Sequence, residues 1–253
     1  MKKSLSLLLS LVMLFSVFAI GNTNAYAATT IKSNKDYTVT FNENTSKKTF
    51  KYKVPSGSDC FYVKVTAIKN GMAICTAKAH NKAFVLCDLD EGVNKFGGYT
   101  YAKGTMITIK LEENAGLWDG DYTKYKIRII RTKPKNFEKE SNNTKKKANK
   151  LKLKVTKSGY VFEGDNNDFW VFKAPKTGKY KISVVCASEE GRVDAYAYRG
   201  NKRVNSVLAY AGDGYQRVFT GKVKKGKKIH IKLSYEIGSL YGPMKYKIIV
   251  KKA

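Results

Sequence analysis

The sequence predicts an all-β protein: two tandem antiparallel β-sandwich domains, of jelly-roll or immunoglobulin-like type, behind a cleaved signal peptide. Three observations lead there. Apolar and polar residues alternate over short runs, turn residues punctuate those runs, and one block pattern recurs along the 253 residues.

Residues 1–27 read as the export signal. Lys2 and Lys3 precede an apolar stretch from Leu5 to Ile20, and the small-x-small triplet Ala25-Tyr26-Ala27 places cleavage after Ala27. The stretch is short for a spanning helix and no second one follows, so the mature chain is expected to have no integral membrane segment. Residues 28–132 form the first expected sandwich. Tyr37, Val39 and Phe41, then Phe61, Val63 and Val65, then Tyr125, Ile127 and Ile129 alternate with polar neighbours, as in half-buried strands. Residues 133–149, rich in Lys, Asn and Ser, are expected to be a flexible linker. The second sandwich, 150–253, opens with Leu151, Leu153 and Val155 between lysines.

The two halves match block by block. Lys103-Gly104 through Leu111 recurs as Lys225-Gly226 through Leu233, and Lys124-Tyr125-Lys126-Ile127 recurs as Lys245-Tyr246-Lys247-Ile248. Asn81-Lys82 matches Asn201-Lys202, and Phe61, Val63 and Val65 match Tyr180, Ile182 and Val184. Four collinear blocks at nearly constant spacing indicate duplication. Turns are expected at Ser56-Gly57, Gly97-Gly98, Gly200-Asn201 and Lys225-Gly226.

In the second half, Asp168-Phe169-Trp170-Val171-Phe172 leads through Ala174-Pro175 and Thr177-Gly178 to Tyr180-Lys181-Ile182. Later come Tyr196-Ala197-Tyr198-Arg199-Gly200-Asn201, Val223-Lys224-Lys225-Gly226 and Tyr246-Lys247-Ile248. This succession resembles the bacterial pre-peptidase C-terminal domain, a β-sandwich appended to secreted proteases and surface proteins. The likeness covers about residues 160–250 and extends loosely to 45–131, where Lys48 and Thr49 stand at the family's Asp position. Members related to collagenase binding segments bind collagen or calcium. No match to such a calcium site is read from this sequence, and that activity is not carried over.

The net charge of +28 falls to +26 once Lys2 and Lys3 leave with the signal. Export argues against nucleic acid as the partner. Of the 48 basic residues only six are Arg, so the charge reads as diffuse attraction to polyanions. Two histidines and no recognisable nucleophile or metal motif predict a chain that is not an enzyme and needs no cofactor. Loop aromatics Trp118, Tyr122 and Tyr241 are the candidate ligand-binding residues. Glu112, Glu113, Asp119 and Asp121 are weak calcium candidates, with solvated turns the competing reading; Asp88, Asp90 and Glu91 form a second acidic group. Cys75 and Cys87 lie equally far from Asn81. A hairpin centred there would permit a disulfide, and one centred half a residue away would pair Cys75 with Leu86. The alternative is four buried thiols. The expected function is a secreted, extracellular or wall-associated binding protein for carbohydrate or anionic wall polymer. The competing expectation is a structural or adhesion module that contacts a host or bacterial surface protein.

Overall fold

A computed structural model describes residues 27–253, apart from 70–71, 81, 90–91, 115–120 and 236–241. Among these residues there is no α-helix. The first half carries β1 (Thr29–Thr30), β2 (Asp36–Phe41), β3 (Lys47–Lys53), β4 (Cys60–Lys69), β5 (Ala73–Ala79), β6 (Lys82–Asp88), β7 (Val93–Tyr99), β8 (Met106–Glu113) and β9 (Thr123–Thr132). The second carries β10 (Asn149–Lys150), β11 (Lys157–Val161), β12 (Asn167–Lys173), β13 (Gly178–Cys186), β14 (Arg192–Arg199), β15 (Lys202–Tyr210), β16 (Gln216–Val223), β17 (Lys228–Tyr235) and β18 (Met244–Lys252).

Each half forms a five-stranded and a four-stranded sheet. The orders β1-β3-β8-β5-β6 and β2-β9-β4-β7 in the first half become β10-β12-β17-β14-β15 and β11-β18-β13-β16 in the second, strand for strand. Alternation explains why the sheets face each other. In β9 the side chains of Tyr125, Ile127 and Ile129 are buried, and in β18 those of Tyr246, Ile248 and Val250. The intervening Lys and Arg residues are at least partly exposed and leave the outer faces wet. Ile107, Ile109 and Leu111 of β8 complete the first core, and Ile229, Ile231 and Leu233 of β17 the second.

The hairpin geometry matches too. In β5–β6 the register shifts between Ala77 and Lys78, and in β14–β15 between Ala197 and Tyr198, the corresponding place. Near its tip the first hairpin pairs Ala79 with Lys82, a register that carried inward would set Cys75 against Leu86. The bulge adds one residue and sets Cys75 opposite Cys87 instead. Cys60 and Cys186 are buried thiols, and burial pushes the Cys60 thiol up to about 11, so it stays protonated and unreactive.

Three expectations need correction. Leu151, Leu153 and Val155 do not form one strand. The chain pairs with β12 at Asn149–Lys150, turns at Lys154 (φ 64°), and bridges Val250 of the other sheet from Leu153; it repeats the crossing made by Ser33 and Asn34 (φ 60°). Gly97-Gly98 is no connecting turn but lies inside β7. Gly98 is the extra residue opposite the β4 register shift at Phe61/Tyr62; at φ 90°, a Cβ on it would sit 2.6 Å from the Tyr160 ring. Finally, 133–149 is no free tether: Glu138 and Asn142 are fully buried and Glu140 nearly so. Its backbone is tied down, Glu140 N–H donating to Gly57 O at 2.7 Å and Phe169 N–H to Asn142 O at 2.8 Å. Aromatic rings close the junction, with Phe162 edge-on to Tyr99 and Tyr101 at 5.4 and 5.3 Å.

Truncating Ile231 to Ala should lower the unfolding free energy by about 2–5 kcal/mol. Its outward neighbour Lys232→Ala should change it by less than about 0.5 kcal/mol. Urea titration of the two variants checks the inward and outward assignment.

Candidate metal centre

The segment that links the two halves runs extended beside β11, with Glu138 N–H donating to Ser158 O at 2.9 Å. In an extended chain, alternate residues share a face. Glu138, Glu140 and Asn142 therefore turn together toward the same interior volume. The second sandwich meets them there with Asp165, on the turn after β11, with Asp168 at the start of β12, and with Tyr246 of β18. From the first half, Thr100 reaches the same place.

The hydrogen bonds show how the acids are held. Glu138 Oε1 accepts from Tyr160 N–H at 2.7 Å and from Thr100 Oγ1 at 3.3 Å, and its Oε2 accepts from Asn142 Nδ2 at 3.2 Å. Asn142 N–H donates to Glu140 Oε2 at 3.4 Å, and Asn143 Nδ2 donates to Asp165. The Tyr246 hydroxyl lies 2.6 Å from Glu138 Oε2 and 2.7 Å from Asp168 Oδ2, while accepting Trp170 Nε1–H at 3.0 Å. One hydroxyl proton serves one carboxylate at a time. The second short contact thus calls for a protonated carboxyl or for a cation held among the oxygens. Gly159 makes the packing possible: a Cβ there would stand 2.2 Å from the Tyr246 oxygen and 2.4 Å from Glu138 Cδ.

Four carboxyl groups are thus buried together, and no Lys or Arg among the described residues forms an ion pair with any of them. Burial raises Glu138, Glu140, Asp165 and Asp168 above the ordinary carboxyl range. Mutual repulsion adds to this, with Glu138 pressing on the other three. Two acceptors, Asp168 Oδ1 and Asn142 Oδ1, are buried without any hydrogen-bond partner. Such orphans cost about 1–3 kcal/mol each unless something else meets them.

A hard cation fits this deficit. Glu138, Glu140 and Asp168 each present an oxygen within 4.8 Å of the others. Oxygens on opposite sides of a calcium ion, each about 2.4 Å from it, stand about 4.8 Å apart. The donor set is all oxygen, with no His or Cys, which suits calcium rather than zinc or copper.

The residues singled out from sequence fall elsewhere. Glu112 is paired with Lys47 and Lys110. Glu113 is buried and accepts from Thr123 Oγ1, from Tyr125 Oη at 3.1 Å and from Met72 N–H at 3.0 Å. Both carboxylates are already met by protein donors. Asp121 is exposed, and Asp119 lies outside the described residues, as do Trp118, Tyr241, Asp90 and Glu91. Tyr122 is 46 % exposed and carries Lys69 Nζ over its ring at 3.4 Å. The group that could hold a cation takes Glu138 and Glu140 from the stretch read as a linker and Asp168 from β12. Its signal in the sequence is the spacing Glu138-x-Glu140-x-Asn142, three oxygen-bearing residues on one face of an extended chain.

No family model and no curated relative matches the chain. Solved structures do. One is the pre-peptidase C-terminal domain of a Bacillus anthracis collagenase, at 22 % identity over 41 % of this chain and 94 % of that one, with a TM-score of 0.32. A second is a turret protein, A223, of Sulfolobus turreted icosahedral virus, at 13 % identity over 85 % and 98 %, TM-score 0.27. A third contains the M60 catalytic domain and two CBM51 domains of Clostridium perfringens ZmpB, at 8 % identity over 87 % of this chain and 34 % of that one, TM-score 0.29.

Gly159→Ala should destabilise the protein by about 1–3 kcal/mol, because the added methyl collides with both the Tyr246 oxygen and the Glu138 carboxyl. Gly178→Ala, whose nearest neighbour would be 3.7 Å away, should not. Melting temperatures of the two variants read the difference.

Proposed function

We propose that the chain is an exported, non-catalytic binding protein in which calcium ties the segment joining the two sandwiches to both of them. The buried carboxyl cluster with its two orphaned acceptors carries this reading. Glu138, Glu140 and Asp168 would hold the ion, with Asp165 and the Asn142 amide oxygen as further donors. The ion would supply the positive charge that no side chain provides. The protein's own groups do the rest. Tyr246, Thr100 and Asn142 orient the carboxylates, and the Phe162, Tyr99 and Tyr101 rings keep water out. Extracellular modules work with calcium sites of about 10⁻⁴–10⁻³ M affinity, which agrees with the export signal.

The ligand of the assembled pair is read as carbohydrate or anionic wall polymer. Exposed Lys supports attraction to such a surface, and an open cleft of about 410 Å³ lined by Phe96, Tyr99 and Pro243 supports contact with a chain-like ligand. A structural or adhesion role without small ligand is the competing class. Retention on purified cell wall that persists as salt is raised favours polymer recognition; retention lost with modest salt reduces it to charge.

Calcium at about 100 times its dissociation constant should stabilise the folded chain by about 2.7 kcal/mol, or about 5–10 °C in melting temperature for a chain of this size. Asp168→Asn and Glu138→Gln should abolish the shift. Equal midpoints for the unaltered protein in calcium and in chelator would remove the site.

A further inference from the structure

A second site lies at one end of the second sandwich, in a part of the molecule the calcium reading does not use. There the C-terminal end of β14, the end of β16, and the turn into β17 enclose an open cavity of about 920 Å³. Arg199, Lys222, Lys224, Lys227 and Lys228 line it, and no carboxylate is among its lining residues. Its floor is apolar, built from Val223 and Ile229, both buried.

Three of the six arginines meet acids: Arg128 pairs with Asp36, Arg131 with Asp59, and Arg192 with Asp194. Arg199, like Arg203 and Arg217, forms no ion pair among the described residues. Among the described residues its guanidinium meets the carbonyl of Lys222 at 2.9 Å and lies 5.3 Å from the Phe219 ring. These contacts fix the fork in place and leave most of its five N–H donors for another acceptor. The turn that presents the lysines is fixed as well, since Lys225 N–H donates to Thr177 Oγ1 at 2.9 Å.

His230 adds an independent mark. It lines the same cavity, and its Nδ1 is buried with no hydrogen-bond partner. Burial first, then the charges of Lys145 and Lys228, push its pKa down. Lys145 itself is anchored at the cavity edge, donating to Gly200 O at 3.0 Å. Arg199 and the four lysines lining the cavity are exposed, and a tetrahedral oxyanion would bring them a shared counterion while accepting from the Arg199 fork.

We infer that this cavity binds a phosphate or sulfate group, with Arg199 as the forked donor, Lys222, Lys224, Lys227 and Lys228 as the surrounding charge, and Val223 and Ile229 as the apolar floor for the carbon skeleton that carries the anion. The cavity is several times larger than one oxyanion, so it suits an ester group on a polymer unit better than the free ion. The inference rests on the wall-polymer reading only for where that group comes from.

The test titrates the mature chain with inorganic phosphate, inorganic sulfate and, at matched ionic strength, chloride, followed by NMR. The chain has two histidines, so the His230 ring signals separate from those of His80. Saturable shifts of His230 and of the Arg199 side chain, stronger with phosphate or sulfate than with chloride, support the site; the stronger of the two oxyanions names the ester. Arg199→Ala with Lys228→Ala should weaken binding about tenfold or more. Lys181→Ala, on β13 and away from the cavity, should leave it unchanged, and melting curves confirm that each variant is folded. Shifts equal in all three salts, or spread over lysines throughout the surface, would overturn the inference. If phosphate binds at the cavity and cell wall is not retained, the site stands and the polymer reading fails. If cell wall is retained and the cavity shows no saturable response, the reading stands and the site fails.

Discussion

Four carboxyl groups are buried together in a chain with 48 basic residues, and no Lys or Arg among the described residues forms an ion pair with them. Most of the junction depends on how that charge is neutralised. Glu138 bonds to the backbone of Tyr160 and, through Tyr246, to the core of the second sandwich; Glu140 is bonded to the backbone of Gly57 in the first. A single ion among these oxygens would fasten three parts of the chain at once. Protonation can silence the same repulsion, and a cation would also meet the two orphaned acceptors, Asp168 Oδ1 and Asn142 Oδ1.

The shared strand order makes the difference between the halves informative. Tyr125 and Tyr246 occupy matching places, and each is fully buried with a hydroxyl that needs an acceptor. In the second half that acceptor is the carboxyl cluster. In the first it is Glu113, a single carboxylate surrounded by protein donors. Thr45 and Lys48 stand where the second half has Asp165 and Asp168. The matching place is thus filled in two ways, once by a single carboxylate with its own donors and once by a set of acids that could hold an ion.

The strands were legible because period-two alternation is a local property, and the tandem order followed from collinear blocks alone. The register of the Cys75–Cys87 hairpin was not, since it turns on a bulge at Ala77 that leaves no sequence mark beyond its echo at Ala197. Gly97-Gly98 was misread because glycine serves both a turn and a bulge, and only the Tyr160 ring above Gly98 tells them apart. The buried acid cluster is hidden in the sequence for a related reason. Its acids come from a stretch whose composition looks solvated and from β12 more than twenty residues away, whereas Glu112 and Glu113 are contiguous. A contiguous pair in a strand points to opposite faces, so it cannot converge on one ion. Alternate acids can.

Charge is therefore divided by position in this molecule. On the outer faces it alternates with the core residues and is solvated, contributing little beyond long-range attraction. At the junction, negative charge is concentrated where water is excluded, and there each group must be answered individually. At the far end of the second sandwich, positive charge is concentrated around Arg199 and His230 over an apolar floor. The two concentrations are of opposite sign and serve different ends. The acidic one lies buried where the segment joining the two halves meets both of them, and a small ion would satisfy it. The basic one is open to solvent and wide enough for a larger anion, so it is the one through which a partner would feel the protein's charge as a site rather than as a field.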